Sequence, residues 1–397
     1  MFPHLLLSAC LLLGCRQSQP VAAAPAYVPP VVTETVLPDE VTVFGNGNDG
    51  YLCYRIPAIV KAPGGTLLAF AEGRKTDCGD FGNVDIVLRT SRDQGKTWSP
   101  LSVAVDYGPN QAGNPAPVFD LTDPRYPDGR LFLVYNTGVA SEGDVRNGKA
   151  IREVWFVTST DLGKTWSAPV NITTQVNRPN KPGVNPAYTF KEDWRSYANT
   201  PGHALQLSQG RYRGRLFVAA NHSAGPPQGQ FRDYSAHGFY SDDHGKTWTL
   251  SPTVSYPGSN ESTAAETRDG GILMNMRNQS GDVKSRLLAY SPTAGERWND
   301  VIVSTDLPDP VCQGAMINHK TPAGQPVLLF VNPNSQTKRE KLTIRVSQDD
   351  GRSWSQGKEL YSGSSAYSDL VIQEDGKIGV LYERDNYQVI TYVSFTL

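Results

Sequence analysis

The chain carries almost no net charge: 37 Lys and Arg stand against 39 Asp and Glu, a balance of −2. A nucleic-acid binder needs a basic surplus or stripe, so that class is excluded. Histidine is scarce, at six residues in 397, and none stands in an HExxH motif or a Cys/His zinc spacing. Zinc hydrolysis loses its usual ligands, and no elbow serine has an obvious base partner. Of five cysteines, Cys10 and Cys15 lie in the first fifteen residues, and the three that remain, Cys53, Cys78 and Cys312, do not make a disulfide framework. Apart from residues 1–15 no long hydrophobic run exists, so no later segment is suited to cross a bilayer. Helical periodicity is nearly absent too. What is abundant is glycine and proline, 37 and 29 residues, together with 18 Tyr and seven Trp. With 39% hydrophobic residues the chain has ample core material, and its surplus of turn formers suits a turn-rich β protein.

Residues 1–15 read MFPHLLLSACLLLGC, an apolar run without a single Lys, Arg, Asp or Glu. It is too short for a permanent span and is expected to be a signal peptide, although the usual basic n-region is missing. Leu12-Leu13-Gly14-Cys15 resembles a bacterial lipobox, in which the cysteine is lipidated. Residues 16–40, with Pro20, Pro25, Pro29, Pro30 and Pro38, read as a Pro-rich tether. The expectation is an exported protein, either a cell-envelope lipoprotein or secreted or periplasmic, touching membrane only through an N-terminal lipid anchor. Export permits one disulfide. Cys53 with Cys78 is the natural pair, which leaves Cys312 as a buried thiol.

One pattern, Ser-x-Asp-x-Gly-x-Thr-Trp, recurs at Ser91–Trp98, Ser159–Trp166 and Ser241–Trp248. A fourth copy, Ser347 to Trp354, has Ser353 in place of Thr, and a decayed fifth keeps Ser291, Gly295 and Trp298. The motif is a hairpin turn. Asp folds its carboxylate onto nearby N–H groups, Gly accepts positive φ, and Trp anchors the turn on the sheet. None has the carboxylate density of a calcium loop, so these boxes are structural. The copies are offset by 68, 82, 50 and 56 residues. A unit of about 60 residues divides residues 41–397 into about six. The sixth, from about Tyr367, has no box and only three clear strands, and Val41-Thr-Val-Phe44 can supply its fourth and close the ring. The predicted fold is all-β, a six-bladed β-propeller with Asp-box (BNR) repeats.

Gly45-Asn-Gly47-Asn-Asp-Gly50 matches GxGxxG, but it leads into the strand-like, Pro-containing run to Pro57. Phosphate therefore has no helix N-terminus to meet, and no nucleotide cofactor is expected. Other motifs follow in order. They are Tyr54-Arg55-Ile56-Pro57, Ala71-Glu72-Gly73-Arg74 with Cys78-Gly-Asp80-Phe-Gly, and Asn260-Glu261 with Glu266 and Leu273-Met-Asn-Met-Arg277. Lys338-Arg339-Glu340, Ala366-Tyr367-Ser368-Asp369-Leu370 and Leu381-Tyr382-Glu383 complete the set. In this order, and with the Asp boxes, residues 41–397 resemble the bacterial exo-sialidases (neuraminidases), glycosidases with an Asp-box propeller.

The resemblance implies a site. Sialic acid carries a carboxylate on its anomeric carbon, which three arginines can clamp by charge-assisted hydrogen bonds. By resemblance these are Arg55, Arg277 and Arg339, with Arg345 a rival for the third. An anionic nucleophile would be repelled by that carboxylate, whereas a neutral Tyr paired with a base avoids the repulsion; sialidases are the known Tyr exception among glycosidases. The implied pair is Tyr367 and Glu261, with Glu266 the rival base. Asp80 is implied as acid and then base, giving retention, Glu383 as the group orienting Arg55, and Arg74 as a contact on the hydroxyl side of the sugar. Glu72 and Asp85 are supporting or merely polar hairpin groups, and Asp369 reads as structural. Gly113-Asn114-Pro115 resembles a segment near the pocket, without an assigned contact. The implied activity is exo-α-sialidase on sialylated glycoproteins, glycolipids or oligosaccharides, with no metal and no cofactor. A non-catalytic sialic-acid-binding propeller is an alternative, but it has no use for Asp80 and an activated Tyr367. Trans-sialidase shares the covalent intermediate, and a paired-Asp glycosidase of neutral glycans would not need three arginines.

Overall fold

The computed structural model describes Met1 and residues 40–396. The expected signal peptide and tether lie outside the described residues except for Met1 and Glu40. Among the described residues, no helix is long and apolar enough to cross a membrane. The strands resolve into six four-stranded antiparallel blades. Their inner strands are Cys53–Lys61, Gln111–Asp120, Trp194–Asn199, Ser259–Glu266, Ala315–Lys320 and the second half of the long strand Lys358–Ile372. That long strand pairs through residues 358–364 with blade 5 and through residues 365–372 with blade 6. The expected ring closure is present: Val41–Gly45 pairs antiparallel with Val389–Phe395 as the outer strand of blade 6. Joining the two chain ends in one blade leaves no open edge between the last blade and the first.

The Asp boxes fold as the sequence predicts. In the first, Asp93 accepts from the Thr97 backbone N–H at 2.9 Å and from its hydroxyl at 2.6 Å, while Ser91 Oγ accepts from Gly95 N–H at 2.8 Å. The same contacts recur at Asp161, Asp243 and Asp349. The anchoring goes further than a turn on its own sheet, because the boxes of blades 1 to 5 lean on the preceding blade. Gly95 has φ +87°, and a Cβ there would lie 2.1 Å from Tyr392 of blade 6; at Gly245, φ +76°, it would lie 2.5 Å from Phe132 of blade 2. Only glycine satisfies both the backbone angle and the close approach. Trp98 packs edge-on to Tyr392 at 5.5 Å, and Trp166 edge-on to Phe70 at 6.4 Å. Each box is thus a staple between blades, with aromatic geometry adding about 0.5–1.5 kcal/mol to the buried area. The core lies between blades, as in the cluster of Phe132, Phe156, Val218, Phe239 and Trp248.

Candidate active site

The inner strands share an irregularity that builds the site. In blades 1, 2, 3, 4 and 6, two residues of the inner strand oppose one of its neighbour: between Arg55 and Ala58, Gly113 and Ala116, Trp194 and Tyr197, Ser259 and Ser262, and Ser365 and Ser368. Each is a β-bulge, which bends the strand and re-aims its side chains. The bulged pairs are Ile56-Pro57, Asn114-Pro115, Arg195-Ser196, Asn260-Glu261 and Ala366-Tyr367. Proline suits two of these places because a bulge leaves an N–H without a ladder partner. Ile56 is held at φ +59° and Asn114 at φ +53°. For a β-branched residue that backbone is strained, and Glu383 supports it by accepting from Ile56 N–H at 2.9 Å.

The bulges bring Ile56, Asn114, Ser196, Glu261 and Tyr367 to a pocket of about 210 Å³ that opens to solvent, with Arg74, Asp80 and Arg277 also in its lining, while Arg55, Arg339 and Glu383 are not in the lining and stand against Tyr367. Tyr367 Oη donates to Glu261 Oε1 at 2.5 Å and accepts from Arg277 Nη1 at 3.0 Å, while Arg277 Nη1 also reaches Glu261 Oε2 at 2.6 Å. Burial and the Glu261 charge push the Tyr367 pKa well above the ordinary value, against the pull of Arg277 and Arg339, so the phenol is neutral. Fully buried Glu383 binds Arg55 Nε at 2.6 Å and accepts from Tyr367 N–H at 3.1 Å, tying the first arginine to the tyrosine strand. Arg339 lies with its Cζ 5.7 Å from the Tyr367 ring centre, and its polar contacts are Tyr387 Oη at 3.2 Å and Val311 O at 2.9 Å. Among the described residues it has no carboxylate partner. Arg55 and Arg277 are each neutralised by a glutamate, so among the described residues the surroundings of Tyr367 hold one uncompensated positive charge, that of Arg339.

On the other side, Arg74 Nη2 pairs with buried Glu72 at 2.7 Å, and its Nη1 with Asp80 Oδ1 at 3.0 Å. Asp80 rides an exposed loop with its side chain 81% exposed. The protein around it displaces some solvent and raises its pKa, but the charges of Arg74 and Arg55 outweigh that and hold it below the usual carboxylate range. Glu72 also accepts from Asn114 N–H at 2.9 Å.

Rivals fall away from the pocket. Glu266 accepts from Ser208 N–H and Oγ and from Gln209 N–H, beside a separate cavity of about 610 Å³. Arg345 is buried in blade 5 against Asn332 and Asn334. Asp369 accepts from Ile59 N–H and from both His203 N–H and Nδ1, a structural clamp. Asp85 accepts from Tyr51 Oη and pairs with Lys75. Asp120, Asp123 and His244 lie within 4.8 Å of one another, as a metal site would require. Their oxygens are already engaged: Asp123 by Arg125, and Asp120 by Thr122, Gln206 and His244.

The sequence pattern missed the wall facing the arginines. It is formed by Glu142 on the short helix Glu142–Arg146, with Arg152, Ser196, Phe231 and Tyr234. Glu142 accepts from Ser196 Oγ at 2.7 Å and from Tyr234 Oη, and it pairs with Arg152 at 2.7 Å. Of this half, only Gly113-Asn114-Pro115 gave a signal in the sequence.

The profile of the BNR repeat-like domain matches residues 59–380. The sialidase of Micromonospora viridifaciens is 33% identical over 406 residues, covering 98% of this chain and 58% of that protein. The chain thus spans well under two thirds of the length of that relative. Sialidase-2 of Cricetulus griseus is 30% identical, covering 90% of this chain and 94% of that one. The solved Hadza microbial sialidase Hz136 matches at TM-score 0.77 and 26% identity, over 90% of this chain and 68% of that chain. With Asp boxes in its repeats and such relatives along nearly its full length, the chain belongs to the BNR-repeat sialidase family.

Proposed function

We propose that the protein is an exo-α-sialidase that removes terminal sialic acid from glycoconjugates with retention of configuration. The observation that carries this is the hydrogen-bonded Tyr367–Glu261 pair lying beside the uncompensated charge of Arg339. A single anionic group meets one unpaired cation there, with Arg55 and Arg277 adding donors, so a sugar with its carboxylate on the reacting carbon is bound and oriented together. In the first step Tyr367 Oη attacks the anomeric carbon and its proton passes to Glu261. Asp80 gives a proton to the departing glycosidic oxygen. In the second step Asp80 takes a proton from water, whose oxygen displaces Tyr367, and the phenol recovers its proton from Glu261. The Arg74 charge keeps Asp80 ionised, and a leaving group laid over its exposed carboxyl raises its pKa by desolvation. The lipobox-like Leu12-Leu13-Gly14-Cys15 supports an exported, envelope-anchored setting for this activity.

The test is release of a fluorescent phenol from an α-sialoside by the purified protein, with Asp80→Ala, Tyr367→Phe and an aryl β-glucoside as controls. Turnover of the sialoside alone, lost in Tyr367→Phe, supports the proposal. Saturable binding of free sialic acid without turnover would make the protein a binding propeller instead.

A further inference from the structure

The loop that carries Asp80 has little to hold it. Residues 75–83 form no regular structure, and residues 76–80 are all exposed. Its non-covalent ties are polar. Arg74 Nη1 donates to Cys78 O at 2.6 Å and to Asp80 Oδ1 at 3.0 Å, Gln111 Nε2 donates to Asp80 O at 3.0 Å, and at the loop's start Lys75 donates its N–H to Asn83 O at 3.0 Å and pairs its Nζ with Asp85 at 2.8 Å. The two that reach the Cys78–Asp80 segment through a side-chain charge come from Arg74, which the proposed reaction also needs for the sugar. A guanidinium that turns toward substrate loosens its grip on the loop.

One covalent tie remains. Cys53 and Cys78 form a disulfide, with Cα atoms 5.3 Å apart. Cys53 is fully buried at the start of the blade 1 inner strand, two residues before Arg55, and Cys78 is exposed, two residues before Asp80. Each two-residue arm spans at most about 7 Å, so the bridge leashes the carboxyl of Asp80 to the strand that presents the first arginine. We infer that the Cys53–Cys78 disulfide is a positioning bond for Asp80, which makes proton delivery to the leaving group depend on the redox state of an exposed cysteine. This rests on the sialidase reading above and assigns the bond a role in one step of it.

Losing the bridge frees the acid without disturbing Tyr367, Glu261 or the three arginines, which are held by other contacts. The expected defect therefore depends on the leaving group. A natural sialoside leaves as a sugar alkoxide and needs its proton, whereas an aryl sialoside with an acidic phenol leaves almost unaided. General-acid help is worth about 10²–10⁴-fold. The measured quantity is kcat/KM, which reports formation of the intermediate, for a sialyl-oligosaccharide and for an aryl α-sialoside.

The full chain is compared with Cys78→Ala, and with itself after a water-soluble phosphine. In that reduction the S–S bond accepts two electrons and two protons to give two thiols, and the phosphine becomes its oxide with oxygen from water. The expected result is a fall of about 10-fold or more for the oligosaccharide and under about threefold for the aryl sialoside, reversed on reoxidation. Binding of free sialic acid by calorimetry should stay within about twofold. Parallel losses on both substrates, or no loss on either, would overturn the positioning role while leaving the sialidase reading intact. A wild-type chain that turns over neither substrate would overturn both. If Cys78→Ala fails to fold, the reversible reduction of the folded wild type decides the matter.

Discussion

Tyr367→Phe removes one oxygen from the centre of the site and little else. The ring is buried with Ile56, Cys312 and Ala366, with the Arg55 Cζ 5.4 Å and the Arg339 Cζ 5.7 Å from its centroid, and a phenyl ring retains all of these contacts. The lost hydroxyl leaves Glu261 Oε1 without its 2.5 Å donor and Arg277 without one acceptor. The Glu261 side chain is 15% exposed, so water can replace the donor, and the stability cost should not exceed about 1 kcal/mol. Arg277 keeps its bond to Glu261 Oε2, so the carboxylate clamp survives, and affinity for free sialic acid should change by less than about threefold. Turnover is different, because among the described residues Tyr367 Oη is the one hydroxyl hydrogen-bonded to Glu261. A lost nucleophile takes at least about 10²-fold from kcat/KM, or ~3 kcal/mol of transition-state stabilisation. Aryl α-sialoside kinetics, calorimetry with free sialic acid and a denaturant titration give the three quantities together. Activity within about threefold of wild type, or a sialyl adduct found by mass spectrometry on another residue, would refute the assignment.

Arg339→Ala should lower kcat/KM by about 10- to 100-fold through loss of one charged contact, whereas Arg345→Ala should leave it unchanged and cost about 2–4 kcal/mol of stability; the reverse pattern in kinetics and urea unfolding would exchange their roles. Arg74→Gln removes the cation that lowers the Asp80 pKa, so that pKa rises and the alkaline limb of the kcat/KM profile moves to higher pH; an unmoved or lowered limb counts against Asp80 as the acid. In blade 3, buried His222 and His237 face each other at 3.0 Å between their Nδ1 atoms, and burial pushes His237 down to about 3. An unfolded imidazole titrates near pH 6.5, so stability should be full above that and fall by about 1.4 kcal/mol per pH unit for each of the two as pH drops toward 3. His319 is shifted in the same direction, while the raised pKa of His203 gives a contribution already complete below pH 6.5; a flat urea midpoint between pH 6.5 and 5 would refute this. Gly245→Ala combines left-handed strain with a methyl 2.5 Å from Phe132, for about 2–4 kcal/mol of destabilisation at unchanged kcat/KM, and a loss under about 0.5 kcal/mol would remove the staple role of the box.

What could be read in advance follows from which parts of the chain carry repeated constraints. The Asp boxes repeat because every blade needs the same turn on its neighbour, so Ser, Asp, Gly and Trp return at fixed spacing and the propeller is legible. The carboxylate end was legible for a related reason. Three arginines, a glutamate and a tyrosine sit in short motifs whose order the fold preserves, and the structure links Arg55, Glu383, Tyr367, Glu261 and Arg277 in one hydrogen-bonded chain, with Arg339 5.7 Å from the Tyr367 ring centre. The opposite wall belongs to no repeat. Glu142 comes from a five-residue helix between strands, and Phe231 from the short 3-10 turn Gly229–Phe231 before Tyr234. Neither spacing nor periodicity marks such residues, and only the pocket brings them together. The bulges explain a deeper gap. Period-two alternation predicts which side chains share a face only while the register holds, and in five blades it slips by one residue at the point where a candidate group is presented. Pro57 and Pro115 betray two of those slips, since proline in a central strand is tolerated where a ladder bond is already missing. Ser196, Glu261 and Tyr367 have no such marker. Blade 5 tests the argument from the other side: its inner strand Ala315–Lys320 runs without a bulge, and none of its residues lines the pocket. The arginine that blade 5 contributes, Arg339, comes instead from the approach to its third strand. Where the ladder is regular the inner strand supplies packing, and where it slips it supplies chemistry.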